Sequence, residues 1–116
     1  MTIERKKTGP RMSQIVVHGD TVYLAGQVAE TAPAASAGEQ TAAILKRIDG
    51  LLAEAGSDNS KLLSATIWLA DMRDYDAVNE VWDAWVPEGS APARACVEAK
   101  LAFAKYTVEI GVIAGR

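Results

Sequence analysis

The sequence is poorest in the side chains that bind metals and form cross-links. Among its 116 residues there is one cysteine, Cys96, and one histidine, His18. A lone cysteine cannot form an internal disulfide, and one Cys with one His cannot supply the ligand set of a structural zinc site. Glycine-rich loops of the Walker or dinucleotide type are missing as well. The sequence therefore predicts a domain that binds no metal and no cofactor.

An excess of charge of one sign and long hydrophobic runs are also absent. Lys and Arg number 12 against 15 Asp and Glu, so the net charge is −3. The chain therefore lacks the excess of basic residues with which proteins bind the phosphate backbone of nucleic acids. No run approaches the roughly 18 apolar residues of a membrane span. The charged N-terminus is not followed by the apolar segment of a secretory signal. These absences predict a cytoplasmic protein that binds neither nucleic acid nor a membrane.

What the chain does contain is the composition of a folded domain. Hydrophobic residues make up 49% and charged residues 23%, close to the averages of soluble globular domains. A chain of 116 residues is too short for two domains of ordinary size. We therefore expect a single domain that spans residues 1–116.

The first half of the chain is predicted to form a hairpin followed by a helix. Residues 1–10 form a charged lead-in without an apolar pattern. The segments Gln14–Val17 and Thr21–Ala25 are rich in β-branched residues and flank a Gly-Asp turn, which favours a β-hairpin. From Glu39 onward, apolar residues recur at helical spacing, and Gly56 lies where a C-terminal cap is expected.

The second half alternates strands with one more helix. Leu62–Leu69 alternates in the manner of a strand, and Asp71 is placed to cap a second helix that ends before Pro87. Two further alternating runs, Arg94–Leu101 and Tyr106–Ile113, complete the chain. The order β-β-α-β-α-β-β predicts an α+β fold in which two amphipathic helices cover one face of a mixed sheet.

The strand that begins at Arg94 carries the candidate chemistry. Arg94 and Cys96 alternate onto one face, and Glu109 in the next run is expected to project to the same face. Such a trio can bind an anion and move a proton. A purely structural role is also possible for each residue: Arg94 in a salt bridge to Glu98 or Glu109, Glu109 paired with Lys100, and Cys96 as a small packed side chain.

Several short motifs resemble those of one known family, the RidA/YjgF family. The motifs are Pro92-Ala93-Arg94, Val97, Val108-Glu109-Ile110, Gly26-Gln27, Val78-Asn79 and Met12-Ser13-Gln14. Together they cover nearly the whole chain. The resemblance implies a chorismate-mutase-like fold and a homotrimer.

The resemblance also implies a function. Members hydrolyse reactive 2-imino and 2-enamino acids to 2-oxo acids and ammonia in a cleft between subunits. Arg94 matches the arginine that pairs with the carboxylate of the ligand through two charge-assisted hydrogen bonds. Glu109 matches the glutamate beside the reacting water, and Cys96, Gly26 and Asn79 match positions that line the cleft.

Two departures from the family's motifs point to a divergent short subgroup. The segment Gly9–Gln14 lacks the tyrosine of the family's Gly-Pro-Tyr-Ser-Gln motif, and Ala25 replaces the serine of its Ser-Gly-Gln motif. The loss of these hydroxyl groups favours an alternative, a non-catalytic protein that holds a small carboxylate as a sensor or scavenger. The family's older label as a ribonuclease is disfavoured, because the chain has no pair of histidines for acid–base cleavage of RNA.

Overall fold

The computed structural model describes all 116 residues and contains a mixed sheet with two helices on one of its faces. In chain order the elements are β1 (Ile3–Thr8), β2 (Ser13–His18), β3 (Thr21–Leu24), β4 (Gln27–Val28), α1 (Ala37–Glu54), β5 (Leu62–Leu69), α2 (Tyr75–Trp85), β6 (Ala93–Glu98) and β7 (Val108–Gly115). The predicted α+β class is confirmed.

The order of the strands in the sheet determines which residues become neighbours. The strands follow one another as β1-β2-β3-β7-β5-β6, and the short β4 also pairs with β7. Only β5 and β6 run parallel, and all other pairs are antiparallel. Because β5 lies between β6 and β7, the strands that carry Arg94 and Glu109 are separated by a whole strand.

The hydrophobic core fills the space between the helices and the covered face of the sheet. Every second residue of β7 is buried, and α1 contributes the apolar stripe that the sequence predicts. The fully buried side chains that fill this layer include Ile44, Ile48, Leu52, Ile67, Val108 and Ile110. Truncation of such a residue to alanine costs about 2–5 kcal/mol of stability.

No helix has the combination of length and apolarity needed to span a bilayer.

Both ends of α1 are capped by local hydrogen bonds. At the N-terminus the Ser36 hydroxyl accepts from the Glu39 backbone N–H at 3.2 Å and donates to the Glu39 carboxylate at 3.1 Å, a form of capping box. At the C-terminus Gly56 has a φ of +79°, and the Ser57 N–H donates to the Leu52 carbonyl at 2.8 Å. This is a left-handed glycine cap, so the cap predicted at Gly56 is confirmed.

The sequence prediction was wrong about the first strand and missed the short β4. Residues Ile3–Thr8 form β1, which pairs antiparallel with β2, although they were expected to be only a charged lead-in before the first strand. Five of these six residues are exposed, so no buried face leaves an alternating pattern in the sequence. Charged side chains suit an edge strand, because they discourage pairing with other chains.

Several element boundaries also differ from the prediction. Asp71 caps a short 3₁₀ turn, Met72–Asp74, that precedes α2, rather than α2 itself. β6 ends at Glu98 instead of Leu101, because its partner strand β5 ends at Leu69. The Leu69 carbonyl accepts the last hydrogen bond between the two strands, from the Ala99 N–H. β7 begins at Val108 and ends at Gly115, two residues later than predicted at each end.

Candidate functional site

Arg94 lies on the helix-covered face of the sheet, at its β6 edge. Its Nη1 donates to the Oδ1 of Asn79 at 2.8 Å, and its Nη2 lies 3.5 Å from the hydroxyl oxygen of Tyr75. The guanidinium carbon is 5.6 Å from the ring centre of Trp82 and 6.0 Å from that of Tyr75, within the range of cation–π attraction. Three side chains of α2 therefore hold the guanidinium in place.

No carboxylate of the chain neutralises this arginine. The chain's ion pairs are Lys7–Glu54 and Arg73–Asp71. Glu98, one of the two partners considered for Arg94, instead accepts a hydrogen bond from the Met72 backbone N–H. Within one chain, Arg94 therefore forms neither of the two salt bridges considered for it. A partly buried guanidinium that is bonded only to neutral groups can offer its charge and its remaining N–H groups to an external anion.

Cys96 lies two residues farther along β6, on the same face as Arg94. It pairs across the sheet with Ile67 and packs against the edge of the core. Burial raises the pKa of the Cys96 thiol, and the Arg94 guanidinium offsets this effect only in part. The sulfur therefore stays protonated at neutral pH, which suits a side chain that lines a cavity better than a nucleophile.

Glu109 lies on the opposite, uncovered face of the sheet. It alternates with the buried Val108 and Ile110 of β7 and pairs directly with Trp68 of β5. Its carboxylate takes part in no hydrogen bond or ion pair within the chain. It is thus available to groups that approach from outside.

Two glycines make the space that Glu109 and Trp68 occupy. A Cβ atom at Gly26 would overlap Oε2 of Glu109, and a Cβ at Gly111 would lie 3.4 Å from the Trp68 ring and 3.8 Å from the Cα of Gly26. Glycine is the residue that permits such a close approach of a side chain to the backbone. Gly26 also lies in the two-residue break between β3 and β4, which brings the backbone up to the carboxylate.

The prediction that Glu109 shares the face of Arg94 is wrong. Arg94 pairs with Ala65 of β5, whereas Glu109 pairs with Trp68 of the same strand. Residues an odd number of positions apart on a strand point to opposite faces. Neither residue lines any of the four cavities of the single chain.

The predicted site residues thus form two groups. The arginine group consists of Arg94, Asn79 and Cys96 with Tyr75 and Trp82. The glutamate group consists of Glu109 and Gly26 with Gly111 and Trp68. Within each group the structure brings together residues that the family motifs named. The two groups lie on opposite faces of the sheet.

Sequence reasoning assigned none of the three aromatic members of these groups, Trp68, Tyr75 and Trp82, to a site. Tyr75 precedes Asn79 by four residues on α2, a spacing that places both on one helix face, so helical periodicity could have linked them. Trp68 alternates with the buried Ile67 and Leu69, and this alternation already indicated the uncovered face. No set of three His, Cys, Asp or Glu side chains comes together as metal ligands.

Comparison with known proteins assigns the chain to a family. A family model described as Endoribonuclease L-PSP matches residues 2–115. A RutC family protein of Haemophilus influenzae is 48% identical over 114 residues, and the RutC family protein YoaB of Escherichia coli is 47% identical over 114 residues. Each alignment covers 98% of both proteins. The chain belongs to the RidA/YjgF family.

Two solved structures share the fold of this chain closely. An uncharacterized protein from Pseudomonas aeruginosa superposes with a TM-score of 0.96 at 45% identity, over 99% of both chains. A YjgF family member from Neisseria meningitidis superposes with a TM-score of 0.94 at 47% identity, over 100% of this chain and 96% of that one. The resemblance that the motifs indicated is confirmed over the whole length.

Proposed function

We propose that this RidA/YjgF family member is a cytoplasmic hydrolase that converts reactive 2-imino and 2-enamino acids to 2-oxo acids and ammonia. The observation that carries the proposal is the guanidinium of Arg94, which is held by Asn79 and lacks a carboxylate partner. A planar fork of N–H donors matches a carboxylate better than a point charge does. In a 2-imino acid the carboxylate is bonded directly to the carbon of the C=N bond. Anchoring the carboxylate therefore also positions the C=N bond.

The proposed site is a cleft between copies of the chain in a homotrimer. Because the arginine and glutamate groups lie on opposite faces of the sheet, one chain cannot bring both to a single small ligand. A closed ring of three copies allows the uncovered face of one chain to meet the β6 edge of the next. Exposed apolar residues support this contact: Tyr23 is 44% exposed on the uncovered face and Val97 is 46% exposed on β6.

The chemistry requires water to add to the imine carbon. In the proposed step Glu109 accepts a proton as the water oxygen bonds to C2, and the C=N bond becomes a C–N single bond. The nitrogen then takes one proton from solvent and the proton held by Glu109, and the C–N bond breaks so that ammonia leaves. The hydroxyl group gives its proton to Glu109 as the C=O bond of the 2-oxo acid forms, and Glu109 finally releases that proton to solvent. An enamine first gains a proton at carbon to give the imine. A positioned base of this kind contributes about 10²–10⁴-fold to a rate.

A second candidate function is a non-catalytic carboxylate-binding protein. It is favoured by Ala25, which lies beside Gly26 and has a methyl group where the family's deaminase motif has a hydroxyl. Such a protein would still use Arg94 as its anchor. The two functions therefore differ in turnover and agree on binding.

A coupled assay in which an amino-acid oxidase generates the imine tests the enzyme. We expect the wild-type chain to accelerate imine loss, and Glu109→Gln to slow it by about 10²–10⁴-fold, because the amide cannot accept the proton. Glu88→Gln, at an exposed position in the turn after α2, is the matched control and should keep full activity. Binding of pyruvate without any acceleration would refute the enzyme and favour the carboxylate-binding protein.

The anchor is tested by titration calorimetry with pyruvate. We expect Arg94→Ala to lose about 2–5 kcal/mol of binding free energy, as buried charge pairs do on truncation. Arg94→Lys should recover little, because an ammonium cannot reproduce the fork. Arg73→Ala, which removes an exposed arginine paired with Asp71, is the control. Equal binding by Arg94→Ala would overturn both candidate functions.

A further inference from the structure

We propose that the chain has a second binding site, for a small oxyanion, between α1 and the segment that follows β4. A cavity of about 400 Å³ opens there, lined by Val28, Glu30, Thr31, Ala43, Lys46 and Arg47. Its volume lies within the range of small-molecule sites. None of its lining residues belongs to the arginine group or the glutamate group, so this site does not rest on the proposed function.

Arg47 is held in position by a chain of two side-chain amides, the buried Gln27 and the half-buried Gln14. Its Nε donates to the Oε1 of Gln27 at 2.5 Å, and Gln27 is only 4% exposed. The Nε2 of Gln27 in turn donates to the Oε1 of Gln14 at 2.7 Å and to the Ala25 carbonyl at 3.0 Å. A guanidinium fixed through Nε keeps its two terminal nitrogens for a ligand and loses less side-chain entropy on binding.

The residues that line the cavity carry a net positive charge. Arg47 and Lys46 contribute two cations and Glu30 one carboxylate, and none of the three takes part in an ion pair. The hydroxyl of Thr31 adds a neutral donor at the same rim. A guanidinium fork, an ammonium and a hydroxyl together are the groups that recognise phosphate and carboxylate oxygens. The ligand we infer is therefore a small molecule that carries a phosphate or a carboxylate.

Calorimetric titration of the full chain with inorganic phosphate and, separately, with succinate tests the site. We expect saturable binding of at least one of the two probes, and the tighter one identifies the group that the site prefers. Arg47→Gln should weaken that binding by about tenfold or more, because it removes the charge-assisted donors. Arg73→Gln removes the same charge from an exposed ion pair elsewhere and should change the affinity by less than about twofold.

Other outcomes would overturn the second site. These are no saturable binding of either probe, an equal loss in Arg73→Gln, or a complete loss in Arg94→Ala, which would assign the anion to the first site. If Arg47→Gln does not fold, Lys46→Gln replaces it, because Lys46 is exposed and bonds to no other side chain. A folded Lys46→Gln with unchanged affinity would then count against the proposal. Loss of pyruvate binding in Arg94→Ala with phosphate binding intact would separate the two sites.

Discussion

Three arginines of this chain differ in what surrounds their charge. Arg73 has a side chain that is 81% exposed and pairs with Asp71, an arrangement that contributes little to stability because water screens it. Arg94 and Arg47 are partly buried and bond to the neutral amides of Asn79 and Gln27. An amide fixes the direction of a guanidinium without cancelling its charge. The latter two arginines thus keep a charge that no carboxylate of the chain neutralises, whereas the charge of Arg73 is paired.

Gly26 provides the sharpest test of the glutamate group. In Gly26→Ala the new methyl group must displace the Glu109 carboxylate, which is the flexible end of a side chain, so we expect the fold to survive and imine turnover to fall by about 10²-fold or more. Gly50→Ala is the matched control, because a Cβ at Gly50 meets nothing within 4 Å. In the middle of α1 it should stabilise the chain by about 0.5–1 kcal/mol. Full turnover in a folded Gly26→Ala chain would contradict the role of Glu109.

At the scale of single elements, the sequence predicts most of what the structure contains. Apolar residues recur at helical spacing in α1 and α2 and alternate with more exposed residues in β5 and β7. Both patterns arise because one side of each element is buried, so they can be detected in the sequence. The pairing of Arg94 with Cys96 on one face of β6 follows from the same alternation. β1 is the exception, because it joins the sheet through backbone pairing with β2 and has no buried apolar face that would leave an alternating pattern in the sequence.

The relation between elements was harder to predict than the elements themselves. The alternation of β6 and β7 says which residues share a face within each strand, but it contains no information about a strand inserted between them. β5, which precedes both in the chain, separates them in the sheet. That long-range pairing places Glu109 on the other face from Arg94. The family motifs named residues that fall into both groups but did not indicate this division.

The helix α2 has two roles, since it packs on the core and supplies the side chains that contact Arg94. Trp82 is 5% exposed, and its ring centre lies 5.3 Å from that of Trp85. We expect Trp82→Ala to lower the free energy of unfolding by about 3–5 kcal/mol, because it leaves a large cavity. Trp82→Phe, which keeps an apolar ring, should lose much less. Urea denaturation measures both, and an unchanged midpoint for Trp82→Ala would show that the ring contributes nothing to the core.

At the scale of the whole molecule, the division of the site into two groups can be tested by mixing variants. If each cleft takes Arg94 from one chain and Glu109 from the next, Arg94→Ala and Glu109→Gln are each inactive alone. Refolding them together in equal amounts gives intact clefts by chance, and we expect about one quarter of wild-type turnover, half times half, in a ring of identical interfaces.

The control for this experiment mixes the two variants after each has assembled, which should give no recovery until subunits exchange. Light scattering on the same samples should give the mass of a trimer. A trimer that recovers no activity after joint refolding would mean that both residues act within one chain or that one of them does not act. A monomeric mass would exclude the shared cleft altogether.

If the cleft is shared between chains as proposed, the position of Arg94 and Glu109 on opposite faces also links turnover to the amount of protein present. A site contained within one chain would work equally well at any dilution. A site divided between chains exists only in the assembled fraction, which falls by mass action once the concentration drops toward the dissociation constant of the ring. The rate would then rise more steeply than in proportion to the protein concentration. A cell could thus tune this activity through the level of synthesis alone.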